Sequence, residues 1–342
     1  MNAKQPLIGL SLDQLREVAA QCGLPRFAAG QMASWLYKKR VTSIDQMTDI
    51  SLAGRSRLAE KYYIGRKAPL TSARSTDGTV KYLFPGVGGH DVEAVYIPDR
   101  DRATLCVSSQ AGCKMACAFC MTGRQGWHGQ LSTAAIINQV LSVDDSESLT
   151  NIVFMGMGEP LDNLDAVIGA IDVLTAKWGL AWSPKRITVS TVAVLPALKR
   201  LLDTTSVHIA VSLHLPDVAR RAEMMPAERA WPLHKVIDLL RDYDFSHQRR
   251  LSFEYIMWQG INDSPRQAMA LARLLIGLDC RVNLIRFHAI PDSPLRPAPL
   301  DEMEAFRDRL NELGITATIR ASRGEDIMAA CGMLAGRKNS EN

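Results

Sequence analysis

Apolar positions in the first 67 residues recur at helical spacing. Leu12, Leu15, Val18 and Ala19 form one stripe, with Ser11 and Gln14 set as a capping box at its start and Gly23 and Pro25 as its stop. Met32, Trp35 and Leu36 form a second stripe that ends in the basic run Lys38, Lys39, Arg40. From residue 80 the pattern shortens to strand-like runs at 80–84, 92–97 and 104–108, broken by Gly, Pro and Asp. Beyond residue 150, strand candidates at 151–155, 186–190, 207–213, 251–257, 282–286 and 316–320 alternate with amphipathic stretches such as 162–176, 233–243, 266–276 and 301–313.

Repeated strand–helix units build a parallel sheet, and right-handed crossovers curl it one way. The count predicts an α/β fold, a partial (β/α)6 TIM-like barrel, rather than a full eight-unit closure. The chain divides into a helical accessory domain over 1–70, a β-rich connecting segment over 71–100, the barrel over 101–334 and a polar tail over 335–342 expected to fray. In such barrels, polar residues at the C-terminal ends of strands are the site candidates.

Composition narrows this modestly. Hydrophobic residues make up 47% and charged residues 22% of the 342, as in an ordinary globular chain. No apolar run reaches the roughly 18 residues of a membrane span, and no secretory signal opens the sequence; a cytoplasmic location is expected. The net charge of +4 is uneven. Residues 1–67 carry eleven Lys or Arg against five Asp or Glu, a balance of +6, so the remainder sums to −2. A basic module beside a near-neutral body fits a polyanionic partner, although a solvated helical surface gives the same count.

The seven cysteines are Cys22, Cys106, Cys113, Cys117, Cys120, Cys280 and Cys331. Cys22 lies on the apolar stripe of the first helix and reads as packing. Cys113, Cys117 and Cys120 fall within eight residues. Three thiolates on one loop hold three corners of a four-iron cubane and leave the fourth iron open to a small molecule. A structural zinc site normally takes two Cys pairs, and no second pair is present. Met155-Gly156-Met157-Gly158-Glu159-Pro160 follows a predicted strand; its glycines admit a ligand to the backbone, and Glu159 accepts hydrogen bonds from an ammonium or a ribose.

The triplet, with Phe119 before its last cysteine, resembles the signature of the radical SAM superfamily, and the Gly-Glu-Pro turn resembles its motif for the amino group of S-adenosylmethionine (SAM). With Cys106 seven residues ahead of the triplet and Cys331 in Ala329-Ala330-Cys331-Gly332, nearly the whole chain resembles the RlmN/Cfr family of RNA adenine methyltransferases. The resemblance implies a barrel of the radical SAM type, one [4Fe-4S] cluster on Cys113, Cys117 and Cys120, and two SAM molecules consumed per methylation. It implies that Cys331 is methylated and then, as a methylene radical, joins the RNA base. Glu93 takes the proton from the base carbon, and Cys106 resolves the crosslink through a transient disulfide with Cys331. It implies SAM contacts at Gly158, Glu159, Ser190, Ser212, Leu213 and His214. His288 stands where the family usually carries an asparagine. The implied substrates are 23S rRNA near the peptidyl-transferase region and tRNA beside the anticodon, methylated at adenine carbon 2. The N-terminal domain is then a helix-hairpin-helix-like RNA-binding module, with Lys38, Lys39 and Arg40 as phosphate contacts. A flavodoxin-type electron donor and a monomeric state are expected. Methylation at carbon 8, a radical SAM reaction on a non-RNA substrate and a non-enzymatic RNA-binding module are the competing readings; Pro160 favours carbon 2 over carbon 8.

Overall fold

The computed structural model describes residues 4–247 and 249–338. Seven strands run parallel and pair in chain order: Arg102–Cys106, Asn151–Phe154, Ile187–Thr191, His208–Ser212, Leu251–Met257, Cys280–Arg286 and Thr316–Arg320. Each step between them is a helical crossover, from Thr133–Ser142 to Leu300–Glu312. The expected six units are therefore present, with a seventh strand after the last helix. Because spatial order equals chain order, every crossover turns the sheet the same way. The curl stays open: Thr316–Arg320 is one edge, and beyond Arg102–Cys106 the sheet continues antiparallel through His90–Asp99, Val80–Val87 and Thr71–Arg74.

Alternation sorts the strand residues by face. Leu105, Ile152, Phe154, Val189, Ile209, Val211, Phe253, Tyr255 and Leu284 are buried in the main core. The opposite set includes Asn151, Thr188, Ser252, Glu254, Asn283, Thr318 and Arg320. These line a cavity of about 980 Å³ that also reaches His288 and Cys331. A polar lumen is unusual for a closed eight-stranded barrel, whose interior is filled by branched apolar side chains; here the interior is left for something polar.

The N-terminal module follows its sequence signals. Gln14 N–H donates to Ser11 Oγ (3.2 Å) while Ser11 N–H donates to Gln14 Oε1 (2.9 Å), so the helix Leu12–Gln21 starts on a reciprocal cap. The second stripe is an α-helix, Ala28–Ala33, that loosens into a π-turn over Ser34–Lys38. Cys22 is buried in the core. The module docks on the first crossover helix through Arg66 Nη2 to the Leu141 carbonyl (2.6 Å) and through paired bonds between Lys67 and Asn138. Arg40 takes part in this docking: its Nη1 donates to Ser146 Oγ (2.8 Å) and its carbonyl accepts from Arg66 Nη1. Of the basic run, Lys38 and Lys39 remain exposed, with Lys39 Nζ 3.3 Å from the centre of the Trp35 ring.

The tail corrects one expectation. Instead of fraying after Leu334, Arg337–Lys338 pair antiparallel with His90 and Asp91. The remaining tail positions, 339–342, lie outside the described residues. No described helix is long and apolar enough to cross a membrane.

Candidate active site

Two short strands, Gln110–Gly112 and Trp127–Gln130, form an antiparallel ribbon that brackets the cysteine loop. Gly112 has φ +72, and a Cβ there would run into the Gly126 carbonyl oxygen, so the ribbon closes tightly only with glycine. Cys113 N–H donates to that same Gly126 oxygen (2.8 Å), and Ala118 N–H donates to the Met224 carbonyl (2.9 Å). Met115, Cys117 and Phe119 pack with Val192, Leu215, Met225 and Trp258 in a small apolar cluster separate from the main core. Water is thereby kept from the loop's inner face.

Burial pushes the Cys113 thiol up to about 12 and the Cys117 thiol well above its ordinary value, with neighbouring cysteines adding to both; burial raises Cys120 too. Such thiols become thiolates only against a compensating cation. Among the described residues, no three His, Cys, Asp or Glu side chains gather around one ion-sized point. A cubane places each thiolate on a different iron, and three neighbouring thiols on one shielded loop are a donor set that fits three of its corners. A compensating charge lies close by: Arg221, 1% exposed, pairs with Glu228 at 2.6 Å and donates to the carbonyls of Ser212 (2.9 Å) and Leu213 (3.0 Å).

The Gly-Glu-Pro turn sits at the end of the second parallel strand and is locked by the segment just before the cysteines. Ser108 Oγ donates to the Glu93 carbonyl (2.6 Å) and accepts from Met157 N–H (2.8 Å); Gln110 Oε1 accepts from Glu159 N–H (2.7 Å). At Gly158, φ is +95, and a side chain would collide with Gln110. The Glu159 carboxylate accepts from Thr191 Oγ1 (2.5 Å), Leu161 N–H (3.0 Å) and Val192 N–H (2.9 Å). It therefore fastens its turn to the end of the next strand. Burial outweighs these bonds and raises its pKa to about 7.

The other sequence candidates lie at or just after the C-terminal ends of later parallel strands. Ser190 and Ser212 lie at the ends of adjacent strands, both half-buried. Leu213 is fully buried. His214, at φ +55, stacks edge-on against Phe119 at 5.1 Å. Its Nδ1 accepts from Ile256 N–H (3.1 Å), which leaves Nε2 as the donor of a neutral ring. Burial and then Arg221 lower its pKa to about 3. His288, 6% exposed, reaches the lumen cavity with Nδ1 3.3 Å from Glu325 Oε1.

The two further cysteines converge on the barrel mouth, and both are free thiols. Cys106 ends the first parallel strand, opposite Val95 and Val153. Burial, and then the charge of Cys331, pushes its pKa up to about 12. Cys331 is exposed on a turn after the short 3-10 helix Glu325–Ile327. Its neighbour Gly332 accepts from Met121 N–H (2.8 Å), and Leu334 accepts from Thr122 Oγ1 (2.6 Å), so the Cys331 segment is laced to the cysteine loop. Just beyond, Ala335 N–H (2.9 Å) and Gly336 N–H (3.2 Å) donate to Glu93 Oε2, while Lys81 pairs with Oε1 at 3.0 Å. Glu93 is thus a buried carboxylate with both oxygens engaged.

Sequence reading did not single out Ser108, Gln110, Thr191, Arg221 or the lumen pair Glu254 and Arg320. Their hydrogen-bonding residue types are too common to stand out. The available signal was alternation: a Glu and an Arg on the inward side of otherwise apolar strands.

Comparison with known proteins agrees with this geometry. Residues 107–272 match the radical SAM superfamily, and residues 5–64 match the ribosomal RNA large subunit methyltransferase N-terminal domain. A probable dual-specificity RNA methyltransferase RlmN of Bacteroides thetaiotaomicron is 56% identical over 342 residues, covering 100% of this chain and 99% of its own length. The dual-specificity RNA methyltransferase RlmN of Desulfotalea psychrophila is 41% identical, covering 97% and 95%. A crystal structure of a radical SAM methyltransferase from Sphaerobacter thermophilus superposes with a TM-score of 0.91 at 38% identity, over 96% of this chain and 99% of that one. Sequence, fold and site together place the chain in the RlmN family of radical SAM RNA methyltransferases.

Proposed function

We propose that this chain methylates carbon 2 of adenosine in 23S rRNA and in tRNA, through a methylated Cys331 and a transient protein–RNA crosslink. Adenine carbon 2 lies between two ring nitrogens and is electron-poor, so it does not attack the SAM methyl group directly. A carbon radical carried by the protein removes that polarity problem. Cys113, Cys117 and Cys120 would hold a [4Fe-4S] cluster, whose chemistry would be the one-electron cleavage of SAM.

The chain's own residues do the rest. Cys331 Sγ displaces the methyl group of one SAM. A second SAM, cleaved with the electron such a cluster would supply, would take a hydrogen atom from that S-methyl, and the methylene carbon would bond to the base. Glu93 would accept the proton from carbon 2 as the adduct gives its unpaired electron back to the one-electron centre at the cysteine loop. Cys106 Sγ then attacks Cys331 Sγ: the S–S bond forms as the bond between Cys331 Sγ and the methylene carbon breaks, that carbon takes up a proton to become the methyl group, and external thiols later reduce the disulfide. SAM lies against Gly158, Glu159, Ser190, Ser212, Leu213 and His214, with His288 at its margin; the Nε2–H of His214 and the backbone at Gly158 offer it hydrogen bonds. Residues 1–70 hold the RNA, a flavodoxin-type protein donates electrons, and the chain works as a monomer in the cytoplasm.

The observation that supports this reading is the lacing of the Cys331 turn to the cysteine loop, through Met121 N–H to the Gly332 carbonyl and Thr122 Oγ1 to the Leu334 carbonyl, with Cys331 also lining the lumen cavity. The test is mass spectrometry and NMR of nucleosides from RNA treated with reconstituted protein. 2-Methyladenosine is expected, and 8-methyladenosine would assign the other carbon. With Cys106→Ala, a covalent protein–RNA adduct should accumulate on denaturing gels; free methylated RNA with no adduct would overturn the crosslink.

A further inference from the structure

One buried carboxylate inside the barrel is only half engaged. Glu254, on the strand Leu251–Met257, is 3% exposed. Its Oε1 accepts from Asn283 Nδ2 (2.8 Å) and Ser252 Oγ (3.2 Å), whereas its buried Oε2 has no hydrogen-bond partner. The nearest cation, Arg320 Nη1, stands 3.9 Å away, beyond hydrogen-bond reach. A carboxylate oxygen that no donor of the protein engages is one that a ligand can engage, and Glu254 and Arg320 face the same lumen cavity as Cys331. An acceptor without a hydrogen bond, a guanidinium beside it whose Nη1 donates to Met155 Sδ (3.3 Å), and the Cys331 thiol therefore line one cavity.

That set of groups suits adenine on either of two edges. Along the Watson–Crick edge of adenine, the 6-amino donor is followed by the acceptor N1 and then by carbon 2. Guanine places a carbonyl where adenine has its amine and uracil has no amine; cytosine repeats the amine and the ring acceptor, but the carbon that follows them is a carbonyl with no hydrogen to replace. We infer that Glu254 and Arg320 read the target base: Glu254 Oε2 accepts from the 6-amino group, and Arg320 donates to the ring nitrogen beside the carbon to be methylated, which leaves that carbon toward Cys331. Asn283 fixes the orientation, because its Nδ2 occupies Oε1 while its Oδ1 accepts from Thr318 Oγ1 (3.3 Å). With the base turned over, the 6-amino group, N7 and carbon 8 follow in the same order. The pair therefore rejects guanine and uracil, the carbon beside the ring nitrogen excludes cytosine, and the base's rotation selects which adenine carbon reacts. This inference rests on the proposed methylation of adenosine but not on which carbon receives the methyl group.

The test compares two RNA substrates that differ only at the target nucleotide, adenosine or purine riboside, which lacks the 6-amino group. The reconstituted wild-type protein should methylate the adenosine RNA roughly 10- to 100-fold faster, as expected for a hydrogen bond to a charged acceptor. Glu254→Gln should reduce that preference to within about threefold. With Asn283 donating to the amide oxygen, the new NH2 group faces the base and no longer accepts. Glu254→Ala should collapse the preference in the same way. SAM binding without RNA should be unchanged in both variants. A wild-type protein that methylates both RNAs equally, variants that keep the preference, or weakened SAM binding would each overturn the assignment. Absence of methylation on the adenosine RNA with wild-type protein would instead overturn the proposed function.

Discussion

His214 shows how much a single side chain in this site is constrained. Its ring is 4% exposed, accepts a backbone hydrogen bond at Nδ1 and abuts Phe119, so protonation in place would strand a charge among apolar neighbours. Burial lowers its folded pKa to about 3, against 6.5 when free. The unfolded chain therefore takes up a proton as pH falls below about 6.5 while the folded chain does not, and this contribution to stability is lost progressively toward pH 3. Chemical denaturation of the protein between pH 4 and 7 should show a steeper fall toward acid than in His214→Gln, even if that variant is less stable at neutral pH. Parallel curves would mean that His214 is not held neutral.

At the scale of elements, the ribbon around the cysteine loop is the part most sensitive to one atom. Gly112→Ala places a methyl group against the Gly126 carbonyl, the acceptor for Cys113 N–H, at a left-handed φ. A strained residue of this kind costs about 1–3 kcal/mol, and the loop entrance shifts with it. Iron and sulfide retained after reconstitution should fall to less than half of wild type, while far-UV circular dichroism stays close to it; full retention would show that the ribbon does not shape the loop. This ribbon was not legible in the sequence, because three- and four-residue strands leave no periodicity. The seven parallel strands and their crossover helices were, because each buries one apolar face at a fixed period. The cysteine triplet was legible for a different reason: three closely spaced thiols have few other uses. The tail was read least well, and the burial of Glu93 was not read at all. The bonds that bury Glu93 come from residues 242 and 243 positions away, and no local pattern announces a contact of that range.

Across the whole molecule, charge and attachment divide the labour. The basic module is fixed to the barrel by Arg40, Arg66 and Lys67, which leaves Lys38 and Lys39 on its surface. Replacing both with glutamate should weaken RNA binding and reduce the slope of log affinity against log salt by about 1.5, with no change in SAM binding. An unaltered slope would move the RNA contact elsewhere. The lacing of residues 332–338 to the cysteine loop and to Glu93 also limits how far Cys331 can travel. Its sulfur hangs one residue from an anchored carbonyl, so rotation about its own side-chain bonds sets most of its range. If one thiol is to meet a methyl donor, a base and a second thiol in turn, those partners must come within a few ångströms of a nearly stationary post. The choreography then belongs to the visitors entering and leaving the barrel, and the protein serves as their fixed turnstile.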